Sequence, residues 1–211
     1  EGAEHRVAPA VPQPLAQKAE KQAAGRLNVG LIGLISLFFL LYVGIEVGFG
    51  GWIFTYATTL GLTGAAAAYL TSAFWGALTV GRLLSIPIAT YLRPRTVLFA
   101  DLLAAMAGML VLLLWPHSPI ALWISVITFG VAIASIFPTI LSFAGRRMTI
   151  TGRITGLFFT GASLGGMTLP LLMGYLLETI APIAIVWFIL IDIIILLGLV
   201  GLILWQTRGE N

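Results

Sequence analysis

Residues 31–58 read LIGLISLFFLLYVGIEVGFGGWIFTYAT, and this stretch decides the fold class of the chain. A helix of about 20 apolar residues is long enough to cross a bilayer. The only charged residue in the stretch is Glu46. Ionisable groups at bilayer depth cost about 2.5–3.5 kcal/mol on insertion scales, so they are retained mainly for function or pairing. We therefore predict a membrane helix with a functional acid at mid-depth.

The composition of the whole chain also indicates a membrane protein. Of its 211 residues, 59% are hydrophobic and 9% are charged, whereas soluble domains carry about 25% charged residues. The absence of cysteine excludes a disulfide framework and thiol chemistry. The net charge of +3 is too small to indicate a nucleic-acid partner. No metal cluster, phosphate-binding loop or dinucleotide fingerprint occurs, so we expect no metal and no cofactor.

Six apolar segments are predicted to span the bilayer, at about 29–58, 65–91, 96–115, 119–143, 153–177 and 182–205. Lys and Arg precede the first segment and follow the second, fourth and sixth, while the three opposite loops have neither. The positive-inside rule then predicts that both termini are cytoplasmic. We also expect a plasma or inner membrane.

The ends of the chain differ in composition from the apolar segments. Residues 1–28 are rich in Ala, Pro and Gln, so we predict a flexible cytoplasmic linker. After this linker we predict a six-helix bundle over 29–205 and a short cytoplasmic tail over 206–211. The first residue is Glu rather than Met. We therefore expect the second half of a twelve-helix protein, with a missing N-terminal six-helix half as its partner.

Two helices carry a stripe of residues that could line a cavity. On the first helix the stripe recurs at steps of four and three and contains Tyr42, Glu46, Phe49, Ile53 and Tyr56. On the fourth helix it is a row of small and hydroxyl residues: Ser125, Thr128, Ala132, Ser135, Thr139 and Ser142. Such stripes face either a wet cavity or neighbouring helices. Contact with neighbouring helices is possible because Ser and Thr also bond to the backbone of their own helix and small residues line helix contacts.

The same two helices each begin a set of three, which predicts a 3+3 inverted repeat. Many transporters are built this way, and paired interrupted helices at matching positions mark the binding site. We expect the glycine cluster Gly44, Gly48, Gly50 and Gly51 to interrupt the first helix and Pro138 to kink the fourth.

Four segments carry a resemblance to a known family: YVGIEVGFGGWIFTYA (42–57), VGRLLSIPIATYLRPRTVL (80–98), FGVAIASIFPTILSFAGR (129–146) and GRITGLFFTGASLGGMTLPLLMGYLLE (152–178). The chain resembles the C-terminal half of a major facilitator superfamily transporter, helices seven to twelve. Within the superfamily it is most similar to the fucose permease and sodium-dependent glucose transporter group. The matching segments span most of residues 29–205.

The resemblance implies where a substrate would bind. Helices seven and ten line the central cavity in this fold, which implies substrate-binding roles for Tyr42, Glu46, Phe49, Trp52, Tyr56, Ser135 and Thr139. The cytoplasmic signature of the superfamily aligns with residues 86–95, although Thr90 stands at its Asp position and Arg93 at its Gly position. A cytoplasmic gate would then involve Arg82, Arg93, Arg95 and Asp101, with Asp101 paired to one of the arginines. Arginines that merely set the topology are an equal alternative.

The implied function is secondary active transport by alternating access, as a symporter of a small polar solute and above all of a sugar. Glu46 would bind solute hydroxyls or act as the coupling group for H⁺ or Na⁺, since low dielectric favours the neutral form of a carboxyl group. An Arg-paired Glu46 that only holds helices together is the structural alternative. The role of Asp192, midway along the sixth helix, is left open.

Three other functions each match part of the sequence. A non-sugar exporter of drugs or metabolites with the same fold would use the same aromatic residues, and a six-helix chain could also work as a pair of identical halves. The run Gly161–Gly165 matches the G-x-S-x-G motif of serine hydrolases around Ser163. A nucleophilic serine needs a base, however, and no His or Lys lies in any span. We therefore expect no enzyme, and a close helix contact at Gly161 and Gly165.

Overall fold

The computed structural model describes residues 29–207, and the regular structure in this part of the chain is entirely α-helical. The helices are α1 (Val29–Thr59), α2 (Gly64–Tyr91), α3 (Pro94–Leu114), α4 (Pro119–Ile133), α5 (Ile136–Arg147), α6 (Gly152–Thr179) and α7 (Ala184–Gln206). Since α4 and α5 together form one segment, six segments are long and apolar enough to cross a membrane. The predicted all-α membrane fold is confirmed. The predicted linker and most of the tail lie outside the described residues.

Short polar residues explain where several helices begin. The side chains of Thr63, Ser118 and Thr151 each accept a hydrogen bond from the backbone N–H three residues further on. Such caps satisfy amides that the first helical turn leaves without a partner. Pro94 and Pro119 stand in the first turn of their helices, where a missing N–H costs nothing.

The fourth segment is interrupted where the sequence predicted a kink. Helix α4 ends at Ile133 and α5 begins at Ile136. Pro138 lies four residues after Ala134, so it cannot donate to the Ala134 carbonyl, and its ring would clash with that carbonyl in a regular helix. The backbone tightens here: the Ala134 N–H bonds to the carbonyl of Val131, three residues earlier rather than the four of a regular α-helix, at 3.3 Å.

The predicted interruption of the first helix is wrong. Helix α1 runs without a break through its glycine cluster. A Cβ on Gly44 would overlap the Leu169 side chain, and a Cβ on Gly48 would overlap the Met173 side chain. These two glycines make room for α6, so their missing side chains serve packing rather than bending.

Helix packing follows the symmetry of the predicted repeat. Helix α1 packs most extensively on α6, and α4 packs on α2. Helix α1 also packs on α7, and α4 packs on α3. If the first three segments are exchanged with the last three, the α1–α6 pair corresponds to the α4–α2 pair. The α1–α7 pair likewise corresponds to the α4–α3 pair. The pattern therefore agrees with a 3+3 inverted repeat.

Glycines bring two of these helix pairs, α1 with α6 and α2 with α4, into backbone contact. A Cβ on Gly161 or Gly165 of α6 would overlap a backbone carbonyl of α1, and the predicted close contact is confirmed. In the second pair, a Cβ on Gly81 would lie 2.9 Å from the Val131 carbonyl oxygen, and one on Gly130 would lie 2.9 Å from the Phe74 carbonyl oxygen. Small residues at these points allow close approach where no hydrophobic force drives helices together.

Candidate functional site

Glu46 lies near the middle of α1 and is buried, with 8% of its surface exposed. Arg82 of α2 donates from Nη2 to Oε1 of Glu46 at 2.9 Å. Tyr42, one turn earlier on α1, donates its hydroxyl to Oε2 of Glu46. Both carboxylate oxygens therefore have a donor. The Arg82–Glu46 contact is the only ion pair within residues 29–207.

The Tyr42 hydroxyl links this acid to the interrupted segment. Its oxygen also lies 3.1 Å from the carbonyl oxygen of Ile133, the last residue of α4. A hydroxyl carries a single proton, so strong donation is to one acceptor at a time. Tyr42 thus stands between a titratable carboxyl group and a fixed backbone carbonyl.

The ion pair reaches the surface of the bundle through Arg82. The side chain of Arg82 is 49% exposed, against 11% for that of Glu46. Helix α2 and helix α6 have the lowest mean hydropathy of the six segments and are the least buried in the bundle. Exposed charge is poorly tolerated by hydrocarbon. The face of α2 around Arg82 therefore requires water or another polypeptide beside it.

Hydroxyl residues accompany Arg82 on the uncovered surfaces of α2 and α6. Thr79 donates to the Trp75 carbonyl at 2.8 Å, and Thr168 donates to the Leu164 carbonyl at 2.7 Å. Because these protons bond within the helix, the hydroxyls offer mainly acceptor lone pairs to a neighbour. Arg82 is the strong donor of this surface.

The aromatic residues of the predicted site lie between helices. Phe49 is 3% exposed and packs against the rings of Phe74 and Phe129, with centroid distances of 5.3 and 4.9 Å. Trp52 donates from Nε1 to the Pro170 carbonyl at 2.7 Å. All of these contacts are packing contacts, and the substrate-binding roles of Phe49 and Trp52 stay predictions.

Tyr56 completes the aromatic part of the first stripe. It is buried, and its hydroxyl has no hydrogen-bond partner among the described residues. A buried hydroxyl without a partner costs free energy. The role of Tyr56 in substrate binding also stays a prediction.

The hydroxyl row of the fourth segment lies mainly against neighbouring helices. Ser135, in the break between α4 and α5, donates its hydroxyl to Oδ2 of Asp101 on α3. Thr139 is 9% exposed and lines a cavity of about 130 Å³ together with Ser85 of α2 and Ser142. Helix packing therefore accounts for much of this row, and the substrate-binding roles of Ser135 and Thr139 stay predictions.

The four residues of the predicted gate do not pair with one another within residues 29–207. Arg82 pairs with Glu46, and Asp101 accepts from Ser135. Arg93 and Arg95 line a cavity at the start of α3. Within residues 29–207, the expected pairing of Asp101 with an arginine is not found. The hydroxyl of Ser135, presented by the helix break, takes the place of that arginine.

Two other predicted candidates have a defined place. Asp192 on α7 is 3% exposed, and its Oδ2 has no hydrogen-bond partner among the described residues. Ser163 is exposed in the middle of the continuous helix α6. The G-x-S-x-G run therefore lacks the strand–turn–helix setting of a hydrolase nucleophile.

Comparison with known proteins gives a consistent result. Residues 3–168 match the profile of the Major Facilitator Superfamily. Sodium-dependent glucose transporter 1A of Mus musculus is 35% identical over 159 residues, covering 75% of this chain and 37% of that protein. Sodium-dependent glucose transporter 1 of Homo sapiens is 37% identical over 159 residues, covering 75% of this chain and 31% of that protein.

A further relative is major facilitator superfamily domain-containing protein 4A of Homo sapiens, which is 31% identical over 137 residues, covering 64% of this chain and 27% of that protein. The chain thus spans about a third of the length of the curated relatives it matches. The first two relatives are transporters by name.

The fold itself is similar to that of the POT family transporter PepTSo. The TM-score is 0.74 at 16% sequence identity, and the match covers 85% of this chain and 37% of that one. At this identity the likeness concerns the fold alone. It agrees with a bundle that forms part of a larger helical protein.

Proposed function

Because the chain belongs to the major facilitator superfamily, we propose that it is the C-terminal six-helix half of a secondary active transporter for a small polar solute. The observation that carries the proposal is the Glu46–Arg82 ion pair, which is buried on the acid side and open to the surface on the arginine side. A charged pair at bilayer depth is costly, and it is retained where a pathway uses it.

A sugar is the proposed solute. The support is the similarity to sodium-dependent glucose transporter 1 of two species over about three quarters of the chain. The pair also suits the chemistry. A sugar hydroxyl both donates and accepts, so it can donate to the carboxylate of Glu46 and accept from the guanidinium of Arg82. A few such polar groups in an apolar surround fix orientation and specificity.

Glu46 is also the proposed coupling group. When its carboxyl group is ionised, it accepts hydrogen bonds from Tyr42 and Arg82. When the carboxyl group is protonated, it can donate to the Tyr42 oxygen while Tyr42 donates to the Ile133 carbonyl. The network can therefore supply hydrogen-bond partners to Glu46 in both its ionised and its protonated state. A group that takes up and releases H⁺ needs partners in both states. Coupling to Na⁺ would instead require the ionised state.

The remaining half of the transporter supplies the other wall of the cavity in this proposal. Both termini of the chain are cytoplasmic, as the distribution of Lys and Arg indicates. The uncovered polar face of α2 then lies beside the water-filled pathway or the N-terminal bundle. Rocking of one bundle against the other would give alternating access around a site at mid-depth.

An uptake assay on the full reading frame that contains these residues tests the proposal. It measures uptake of a panel of labelled hexoses at several Na⁺ concentrations and pH values. We expect saturable uptake of at least one hexose, driven by an inward Na⁺ or H⁺ gradient. Glu46→Gln should abolish the dependence on the gradient. Glu178→Gln is the matched control, since Glu178 is exposed at the end of α6 and the chemical change is the same.

Two results would count against the proposal. Uptake and ion dependence that Glu46→Gln leaves unchanged would remove this acid from the mechanism. Failure of every hexose, together with uptake of an apolar compound, would favour the non-sugar exporter.

A further inference from the structure

A cavity far from Glu46 lies where α3 begins and where α5 and α7 end. Its volume is about 360 Å³, and its lining includes Arg93, Arg95, Arg146 and Arg147. We call these four residues the arginine pocket. Neither the ion pair of Glu46 nor the predicted substrate residues contribute to it.

The arginine pocket is strongly positive. None of the four acids within residues 29–207 lines it. Guanidinium groups stay charged at every physiological pH. Four cations around one cavity repel one another, so the arrangement is favourable only when an anion or bulk water occupies the space.

Two features hold positive charge beside the cavity. Arg147 donates from Nη1 to the Thr207 carbonyl at 3.1 Å, and its guanidinium lies 5.8 Å from the ring centre of Phe143. These contacts hold it beside the pocket. Helix α3 begins next to Arg93, which has no side-chain capping bond. The start of a helix carries a partial positive charge that adds to the field of the arginines.

The position of the pocket favours a lipid. The helices around it expose apolar side chains such as Leu103 of α3 and Leu202 of α7. Trp205, next to the lining residue Leu204, is 73% exposed. Exposed Trp at the end of an apolar helix is typical of the membrane–water interface. A headgroup in the pocket would therefore have its acyl chains against the apolar surface of α3 and α7.

We propose that the arginine pocket binds the phosphate headgroup of an anionic phospholipid. Arginine pairs with phosphate through two parallel N–H···O bonds. Basic pockets between membrane helices on the cytoplasmic side are known to hold such headgroups. The proposal needs the arginine-rich end of the bundle to lie at a bilayer surface, and it does not depend on the transported solute.

Native mass spectrometry of the purified full chain in detergent tests the proposal. The probes are phosphatidylglycerol and phosphatidylcholine, added at equal concentration and with matched acyl chains. We expect one phosphatidylglycerol to be retained in clear preference to phosphatidylcholine. Arg146→Gln should weaken retention about fivefold, and Arg93→Gln with Arg146→Gln about 25-fold, since each change removes the hydrogen bonds of one arginine to the headgroup phosphate.

Arg153→Gln is the matched control. Arg153 is exposed at the start of α6, at the same end of the bundle, and does not line the pocket. It should leave retention within about twofold, because charge near the surface but outside the cavity acts weakly in comparison. An equal loss in Arg153→Gln would reduce the effect to net charge and overturn the proposal.

Two further outcomes decide the matter even if a variant does not fold. Equal retention of the two lipids by the unaltered chain overturns the proposal. Retention of inorganic phosphate by the unaltered chain, without retention of phosphatidylglycerol, would identify a site for the free ion rather than for a headgroup, and it also overturns the proposal.

Discussion

The two sides of α1 are built from opposite kinds of residues. The side that faces α6 carries Ser36, Leu40, Gly44, Gly48 and Trp52 at steps of four, and it lets α6 approach its backbone. The other side carries the first stripe, whose members contact α2 and the fourth segment. Small residues thus serve contact on one side, while the buried acid and aromatic residues fill the other.

This difference separates a permanent contact from one that can change. Backbone contact through Gly161 and Gly165 leaves no room for rearrangement, because a shift of a fraction of an ångström creates overlap. A hydrogen-bonded ion pair with one half-exposed partner can exchange its partners for water or solute. We therefore expect the α1–α6 contact to be rigid and the Glu46–Arg82 contact to be exchangeable.

Gly165→Ala should have the largest effect on folding. Its Cβ would overlap the Leu40 carbonyl, which is backbone and cannot move aside, so we expect a loss of about 1–3 kcal/mol of stability. Gly166→Ala is the control, because its Cβ would lie 3.6 Å from the nearest atom of Val43. Thermal unfolding in detergent measures both variants. Equal behaviour of the two would contradict the close contact.

Breaking the ion pair should have the next largest effect. Loss of one partner leaves the other charged group unpaired, and since Arg82 is half exposed we expect about 1–2 kcal/mol for Glu46→Gln or Arg82→Gln, below the cost for a fully buried pair. The double variant should be more stable than the sum of the single losses implies. Strict additivity of the two losses would mean that the contact does not stabilise the bundle.

Trp52→Phe should have a smaller effect and separates packing from substrate binding. It removes the bond from Nε1 to the Pro170 carbonyl, which we expect to cost about 1 kcal/mol. The affinity for the transported solute should stay unchanged if Trp52 only joins α1 to α6. A raised KM in a folded variant would instead place the indole at the substrate.

Tyr56→Phe should have the smallest effect on stability. The Tyr56 hydroxyl is buried without a partner among the described residues, so its removal should be neutral or slightly stabilising. Tyr42→Phe is the contrasting variant, because its hydroxyl bonds to Glu46 and should cost about 1 kcal/mol to remove. A marked loss of stability in Tyr56→Phe would reveal a partner for that hydroxyl.

The sequence predicted the parts of the fold that depend on local properties. Hydropathy placed the six segments, and Pro138 placed the break in the fourth, because each signal acts within a few residues. The glycines of α1 were misinterpreted because a missing side chain serves bending and close contact equally well. Only the neighbouring helix decides between these two uses.

The candidate site was predicted less completely. Glu46 was identified because a lone acid in an apolar run is visible in the sequence. Its pairing with Arg82, which lies 36 residues away on another helix, depends on how the helices are arranged. Glu46 and Arg82 are each the only charged residue of their predicted span, and the two spans are consecutive, which was the available signal. The same limit explains why the stripe around Phe49 does not reveal which of its residues face a pathway.

Reaction with a charged, membrane-impermeant thiol reagent tests most directly whether the face of α2 around Arg82 lines an aqueous pathway. The chain has no cysteine, so Thr79→Cys, one turn from Arg82, reports on this face in a complete transporter free of other cysteines. Ile194→Cys on α7 is the control, because Ile194 is 60% exposed on an apolar helix. We predict that the cysteine at 79 reacts at least tenfold faster and that bound solute slows it. Equal, slow reaction at both positions would contradict the account.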